Sequence, residues 1–288
     1  MPSRSPSAAP HLARIALFPI KSLDGMVVER ARFAPGSGLV HDRAFAIFDE
    51  TGRIVNGKRD ARVHAIRAEY APDLESVRIG VGASREWFSL RDRRPLEAWL
   101  SSYFEMPVTV RADAESGFPD DTQAPGPTVI STATLAEVAS WYGSMTLDSA
   151  RRRFRANLEI GGVPAFWEDR LYGEPGEPIP FTVGAAMLAG TNPCQRCVVP
   201  SRDQETGATI DAFSKTFAER REERLPPWAH RSRFNHYYRL AINTVTMPQT
   251  IGATIAILDR VEVATQVSEP LGYCLLYTSD AADDLTRV

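Results

Sequence analysis

The sequence predicts a mainly β chain with some helix (α+β), divided into two β-rich halves. Three observations carry this. Short β-branched and aromatic runs recur from Ala13 onward, separated by Gly, Pro and Asp. Helical patterning is confined to three segments. Between the halves, residues 116–127, SGFPDDTQAPGP, follow neither period and predict a linker or long surface loop. The resulting division is an N-terminal barrel-like domain over 11–125, a second β domain over 126–270, and a tail over 271–288.

In chain order, ARIALFPI, AFAIF, WFSL and PVTV are the strand candidates of the first half, and DETG at 49–52 is a hairpin turn between Phe45, Ile47 and Ile54-Val55. One helix interrupts them: Pro95 suits a first turn, and Leu96, Trp99, Leu100 and Tyr103 recur at helical spacing. After the linker, Thr134 and Glu137 have capping-box spacing and Gly143 stands where a helix stop belongs. RRRFRANLEI, read with period two, predicts a strand with Arg151, Arg153, Arg155 and Asn157 on one face and Phe154, Ala156, Leu158 and Ile160 on the other. PFTVGAAML, YRLAINTV and TIAILDRVEV are further strands, and DAFSKTFAERREER is a polar helix.

Composition narrows the function. The 33 Lys and Arg against 36 Asp and Glu give a net charge of −3, which argues against nucleic acid as an obligate partner. Three cysteines in 288 residues do not make a disulfide framework. No stretch approaches the roughly 20 apolar residues of a membrane span, and MPSRSPSAAPHLARIALF lacks a signal-peptide core. These readings predict a cytoplasmic chain with a short disordered lead. The tail CLLYTSDAADD continues no strand pattern and resembles a translated library adapter, so 271–288, with Cys274, reads as non-native.

The motif NPCQRCVVPSRDQETG holds Cys194 and Cys197. Two thiols at this spacing can be half a zinc site completed by His230 and His236, a redox pair, a heavier-metal ligand, or buried bystanders. Zinc-finger spacing is exceeded by the 32 residues before His230, and the extended reading of VVP is unlike a thioredoxin helix.

Beside it stand LFPIKSLDG, GLVHDRAF, TVISTATLAEV and FRANLEI, and together, in this order, the five resemble the MOSC family, in its two-part form with an N-terminal β-barrel domain ahead of a MOSC β-barrel domain, over about residues 12–265. The mitochondrial amidoxime-reducing component and its bacterial relatives are members. The resemblance implies a molybdenum-molybdopterin cofactor in the cleft between the domains, with Cys197 as metal ligand and catalytic residue. It implies that Lys21, Ser22, Arg43, Arg155 and Asn157 hold the cofactor, and Ser131 and Thr132 can add donors to its phosphate. A soft thiolate suits molybdenum, and Arg196 would help keep the thiol ionised. Cys194 reads as a neighbour, and His230 and His236 as surface or supporting residues. The implied reaction is two-electron reduction of N-hydroxylated compounds such as hydroxylamines and amidoximes. Because no ferredoxin cluster motif follows, electrons would come from a separate donor protein: a ferredoxin, a flavodoxin, or a cytochrome b5-like protein with its reductase. A cofactor- or sulfur-carrying module without turnover is the alternative. The chain departs from the family pattern at Val183-Gly184-Ala185 and at LDRVEV, where a Gly-Asp turn is usual.

Overall fold

The computed structural model describes residues 9–36 and 38–264, and the reading of the tail lies outside them. The first half contains β1 (His11–Leu17), β2 (Met26–Val28), β3 (Arg30–Arg32), β4 (Phe45–Asp49), β5 (Ile66–Tyr70), β6 (Ser76–Val81), β7 (Ser84–Ser89), α1 (Arg94–Phe104) and β8 (Val108–Ala112). The second contains β9 (Val129–Ser131), α2 (Thr132–Ser140), α3 (Leu147–Phe154), β10 (Leu158–Gly161), β11 (Ile179–Val183), β12 (Ala186–Gln195), α4 (Phe213–Glu223), β13 (Arg239–Thr246), β14 (Thr254–Ala256) and β15 (Val261–Val263).

In the first half β5, β6 and β7 form a meander and β4 pairs with β8. The helix α1 closes this unit because its apolar stripe, Leu96, Leu100 and Phe104, is buried against Ile47, Val77 and Val110. It stops at Glu105, whose left-handed backbone (φ 52°) lets its N–H reach back to Ser101 and Ser102. The turn DETG forms as expected, with Gly52 at φ 77° and Asp49 N–H bonded to Arg53 O at 2.9 Å. Its return strand is only the bridge Phe48↔Ile54, since β4 takes its long partner from β8.

The large sheet runs β15-β11-β12-β13-β9-β10-β1-β2, so it draws β1 and β2 from the first half. Its ladder does not close into a barrel. Its ends are nevertheless drawn together by the bridge His11↔Arg260 and by Leu12 N–H to Asp259 O at 2.8 Å. Leu12, Ile15, Leu158, Phe181, Leu188 and Ile242 fill the space inside it. Outside, α2, α3 and α4 bury Leu135, Val138, Phe154, Phe213 and Phe217 in a second cluster that includes Cys194.

Three expectations of the second half are corrected. The segment RRRFRANLEI is not one strand: its first four residues end α3, and β10 begins only at Leu158. Thr146 caps α3 by accepting from Ser149 N–H, and Arg151, Arg152 and Arg153 sit favourably in its last turn, where the helix carbonyls are unpaired. Helix α2 starts a turn earlier than its capping-box spacing predicts, with Ser131 as the N-cap, and it ends at Ser140, short of Gly143. PFTVGAAML is a hairpin of β11 and β12 turning at Gly184, φ 56°. A Cβ on Gly184 would lie 2.5 Å from Asp259 Oδ2, so an acid from LDRVEV stands at the corner where the family pattern carries its own.

Beneath α2 and α4 lies a buried polar knot. Thr134 Oγ1 donates to Glu168 Oε2 at 3.0 Å, and Arg221 Nη2 donates to Asp169 Oδ2 at 2.5 Å. Burial, then neighbouring Asp169, pushes the Glu168 carboxyl up to about 7. Between the ordinary carboxyl range and about 7 the native state therefore keeps a proton that the unfolded chain has released, and stability falls as pH rises through that window. Glu168→Gln, which keeps an acceptor for Thr134, should flatten this part of a stability–pH curve measured by denaturant unfolding. An unchanged slope would show that Glu168 is ionised in the fold.

Candidate functional site

The chain leaving β1 passes through Phe18 and Pro19 to a parallel bridge between Ile20 and Phe45, which Lys21 N–H extends by donating to Phe45 O at 2.8 Å. Lys21 is thereby held with 9% of its surface exposed. An ammonium has three donors, and residues of the linker take all three: Phe118 O at 2.9 Å, Pro119 O at 3.0 Å and Asp120 Oδ1 at 2.7 Å. The segment read as a linker is therefore a wall of the site. Ser22 follows in a left-handed conformation, φ 74°.

Two arginines share the Phe18 ring. Arg43 lies 5.4 Å from its centroid and Arg155 4.2 Å. Both residues have left-handed backbones, φ 51° each, which turns them out of the runs that carry them. Arg43 is paired with Asp42, whose other oxygen accepts from Phe18 N–H at 2.8 Å, and it reaches Asn157 Oδ1 at 3.3 Å and Asp120 at 4.0 Å. The Arg155 guanidinium makes no hydrogen bond among the described residues. Burial, then the like charge of Arg43, pushes it down to about 10, so it stays a cation at neutral pH. The other two arginines of the predicted row, and Arg152 between them, are engaged elsewhere: Arg151 with Glu159 and Asp148, Arg152 with Glu205, Arg153 with Asp203.

Asn157 acts as a pin. Its Oδ1 accepts from Thr128 and Arg43, and its Nδ2 donates to Ala16 O at 3.0 Å, tying β1 and the start of β10 to the arginine. With its oxygen shared between Thr128 and Arg43, the amide's contribution is to position Arg43.

The two thiols have unequal surroundings. Cys194, near the end of β12, is buried and donates to Asn243 Oδ1, while Asn243 in turn donates to Asp121 and Asn192. Burial pushes this thiol up to about 11, with Asp121 adding to the shift against Arg196, so it is protonated at neutral pH. Cys197 is half-buried beyond the strand end; its carbonyl is fixed by the Tyr238 hydroxyl at 3.0 Å. The Arg196 guanidinium is bonded to the carbonyls of Leu240 and Phe154. One reading is corrected here: VVP is not extended but enters a 3-10 turn, Val199–Ser201.

After that turn the chain crosses to the first half. Arg202 donates to Gly57 O, and His64 lies buried against Gly57 and Gln204, its imidazole held below its ordinary pKa by burial and by Arg202 and Arg155. Sequence reasoning missed His64, Arg202, Gln204 and Asp120. For Asp120 the only local signal was the acid pair in a segment otherwise rich in turn formers; Arg202 and Gln204 lie within the cysteine motif, and His64 has no such signal.

Lys21, Arg43, Arg155 and Asn157 are thus brought together, with Cys194 in electrostatic reach of Arg43. Ser131 is not among them: it is fully buried, its Oγ bonded to Thr134 as the α2 cap. Thr132 is half-buried in the first turn of that helix. His230 pairs with Glu174 at 3.0 Å. Among the described residues no group of three or more His, Cys, Asp or Glu is arranged for a metal, so the zinc alternative for Cys194, Cys197, His230 and His236 finds no support.

Comparison with known proteins gives two adjacent domain matches, a MOSC N-terminal beta barrel domain over residues 9–107 and a MOSC domain over 127–257. A human protein, molybdenum cofactor sulfurase, is 22% identical over 268 aligned residues, covering 75% of this chain and 29% of that protein. A solved structure of the YUAD protein from Bacillus subtilis is similar at 14% identity and a TM-score of 0.39, covering 90% of this chain and 98% of the other, a likeness too distant to carry an argument.

Proposed function

Since this chain belongs to the MOSC family, with the N-terminal beta barrel domain preceding the MOSC domain, we propose that it binds a molybdenum-molybdopterin cofactor between its halves and reduces N-hydroxylated compounds. The observation that carries the reading is the donor set around Phe18. Arg43 and Arg155 share that ring, Lys21 joins them through Asp120, and the Arg155 guanidinium has no hydrogen-bond partner among the described residues. A partly buried guanidinium with open donors fits a phosphate.

In this reading Lys21, Arg43 and Arg155 hold the phosphate and pterin, with Ser22 beside them, and Asn157 orients Arg43. Ser131 is the weakest member of the set, because its hydroxyl already caps α2; Thr132 at the first turn offers a backbone N–H. Cys197, the more accessible thiol, is the metal ligand, and the buried network of Cys194, Asn243 and Asp121 supports its loop. When bound, the molybdenum supplies the two-electron couple that converts an N–OH group to N–H and water. Electrons come from a separate donor protein, a ferredoxin, a flavodoxin or a cytochrome b5-like protein. No described helix is long and apolar enough to cross a membrane; a cytoplasmic location belongs to the proposed reading and does not follow from that. A second reading, a molybdopterin-binding or sulfur-carrying module without turnover, is favoured by the likeness to the human molybdenum cofactor sulfurase.

Metal and pterin analysis of the purified protein, with reduction of a test hydroxylamine by an artificial electron donor, separates the two. Molybdenum with turnover supports the reductase, pterin without turnover the carrier, and neither would remove both. The sharpest variant is Arg155→Ala, because it breaks no side-chain hydrogen bond among the described residues. It should lower retained molybdenum by an amount corresponding to roughly 1.5–3 kcal/mol of charged hydrogen bonding, while the thermal midpoint moves little. Equal metal content would take Arg155 out of the site. Lys21→Ala is expected to lose both cofactor and stability, since it also frees the 118–120 segment.

A further inference from the structure

The three donors of Lys21 are filled by three consecutive residues of the linker, two carbonyls and one carboxylate. The carbonyls place the ammonium. The Asp120 side chain is different: 76% of it is exposed, and it rests between Lys21 at 2.7 Å and Arg43 at 4.0 Å, where a ligand's anionic group would sit. We propose that Asp120 is a tethered self-ligand of the anion seat, and that it makes the seat selective for dianions such as a phosphate monoester over monoanions. This rests on the reading of Lys21, Arg43 and Arg155 as a phosphate site.

Charge decides the selectivity. Around the seat stand three cations, Lys21, Arg43 and Arg155. One fixed acid, Asp42, is bonded to Arg43 and Phe18, while Asp24 is matched by Arg67 at 3.2 Å. With Asp120 swung away the seat carries two uncompensated positive charges, and with it in place, one. An incoming carboxylate of single charge only replaces what Asp120 already provides, and it must compete with a group tethered at high effective concentration. A phosphate dianion exchanges one negative charge for two and leaves the seat neutral. Displacement needs no opening of the fold, because the Asp120 side chain lies mostly in solvent although Lys21 and Arg43 are largely buried. The two arginines hold the Asp120 carboxyl, despite its desolvation, down to about 2 together with Lys21, so it remains a competing anion throughout the neutral range.

The experiment uses the full chain made in a host that lacks the pterin, titrated calorimetrically with inorganic phosphate and with acetate at mildly alkaline pH, where phosphate is a dianion. Parent, Asp120→Asn and Glu115→Gln are compared, the last removing an exposed charge of the same loop. The parent is expected to bind phosphate and not acetate. Asp120→Asn should bind phosphate about fivefold more tightly, the scale of an exposed ion pair, and should acquire acetate binding, while Glu115→Gln behaves as the parent. Phosphate binding that is equal in parent and Asp120→Asn, without gain of acetate, overturns the self-ligand and leaves the anion seat standing. A matching gain in Glu115→Gln reduces the effect to overall surface charge and also overturns it. No phosphate binding in any variant removes the seat itself, and the proposal with it.

Discussion

Cys197→Ser is expected to lower reduction of a test hydroxylamine on the order of a thousandfold, about 4 kcal/mol of barrier, whereas Cys194→Ser retains most of the activity. The asymmetry follows from where the two sulfurs sit. Cys194 is 6% exposed, bonded to Asn243 and pushed up to about 11, a protonated thiol whose job of donating to Asn243 a serine hydroxyl can take over. Cys197 lies beyond the strand end, its carbonyl held by Tyr238 and its sulfur without a hydrogen bond among the described residues. Replacing a soft thiolate by a hydroxyl that is scarcely ionised changes the electronic character of a bound metal. Activity and molybdenum content should be measured together in both variants. Equal loss in both, at full molybdenum, would show that the two thiols work as a pair and would sink the single-ligand reading.

Arg221→Ala is expected to destabilise the fold by about 3–5 kcal/mol, because it leaves Asp169 buried without its counter-charge. The guanidinium is 1% exposed, bonded to Asp169 and stacked 4.3 Å from Phe166 and 5.1 Å from Phe234. Asp169 is itself 2% exposed and pushed up by burial, which Arg221 and, less, the Tyr172 hydroxyl offset. Helix α4, which carries Arg221, also places Phe213 and Phe217 against Tyr238, the residue that fixes the Cys197 carbonyl. Loosening α4 should therefore reach the cysteine loop. Denaturant unfolding would give the stability change, and the double variant Arg221→Met with Asp169→Asn should recover part of it by removing both charges at once. If Arg221→Ala kept the parent's unfolding midpoint, the pair would have to be hydrated and its burial misjudged.

The segments legible in the sequence are those whose period is local. Leu96, Trp99, Leu100 and Tyr103 show α1, the polar run DAFSKTFAERREER shows α4, and DETG shows its turn, because each depends on side chains within a few residues of one another. The arginine row failed for the same reason. Arg151–Arg155 alternates well enough for a strand, but the Thr146 cap and the favourable helix end decide for α3, and the alternation is then accidental.

By itself the sequence determined the β-rich class, the family and the set of residue types that suit an anionic cofactor: PIKS, HDR, RFRAN and the cysteine motif are contiguous and readable in one dimension. Only the tertiary structure decided which of those residues meet. The left-handed turns at Arg43 and Arg155 that bring two arginines to one Phe18 ring, and the bonding of Arg196 to the Leu240 carbonyl, depend on neighbours far along the chain. Lys21 meets Asp120 across 99 positions and Arg202 meets Gly57 across 145, and hydrophobic periodicity carries no information over such separations. Those contacts form because burial of two cores fixes the backbone first, and the polar groups that end up adjacent then satisfy one another.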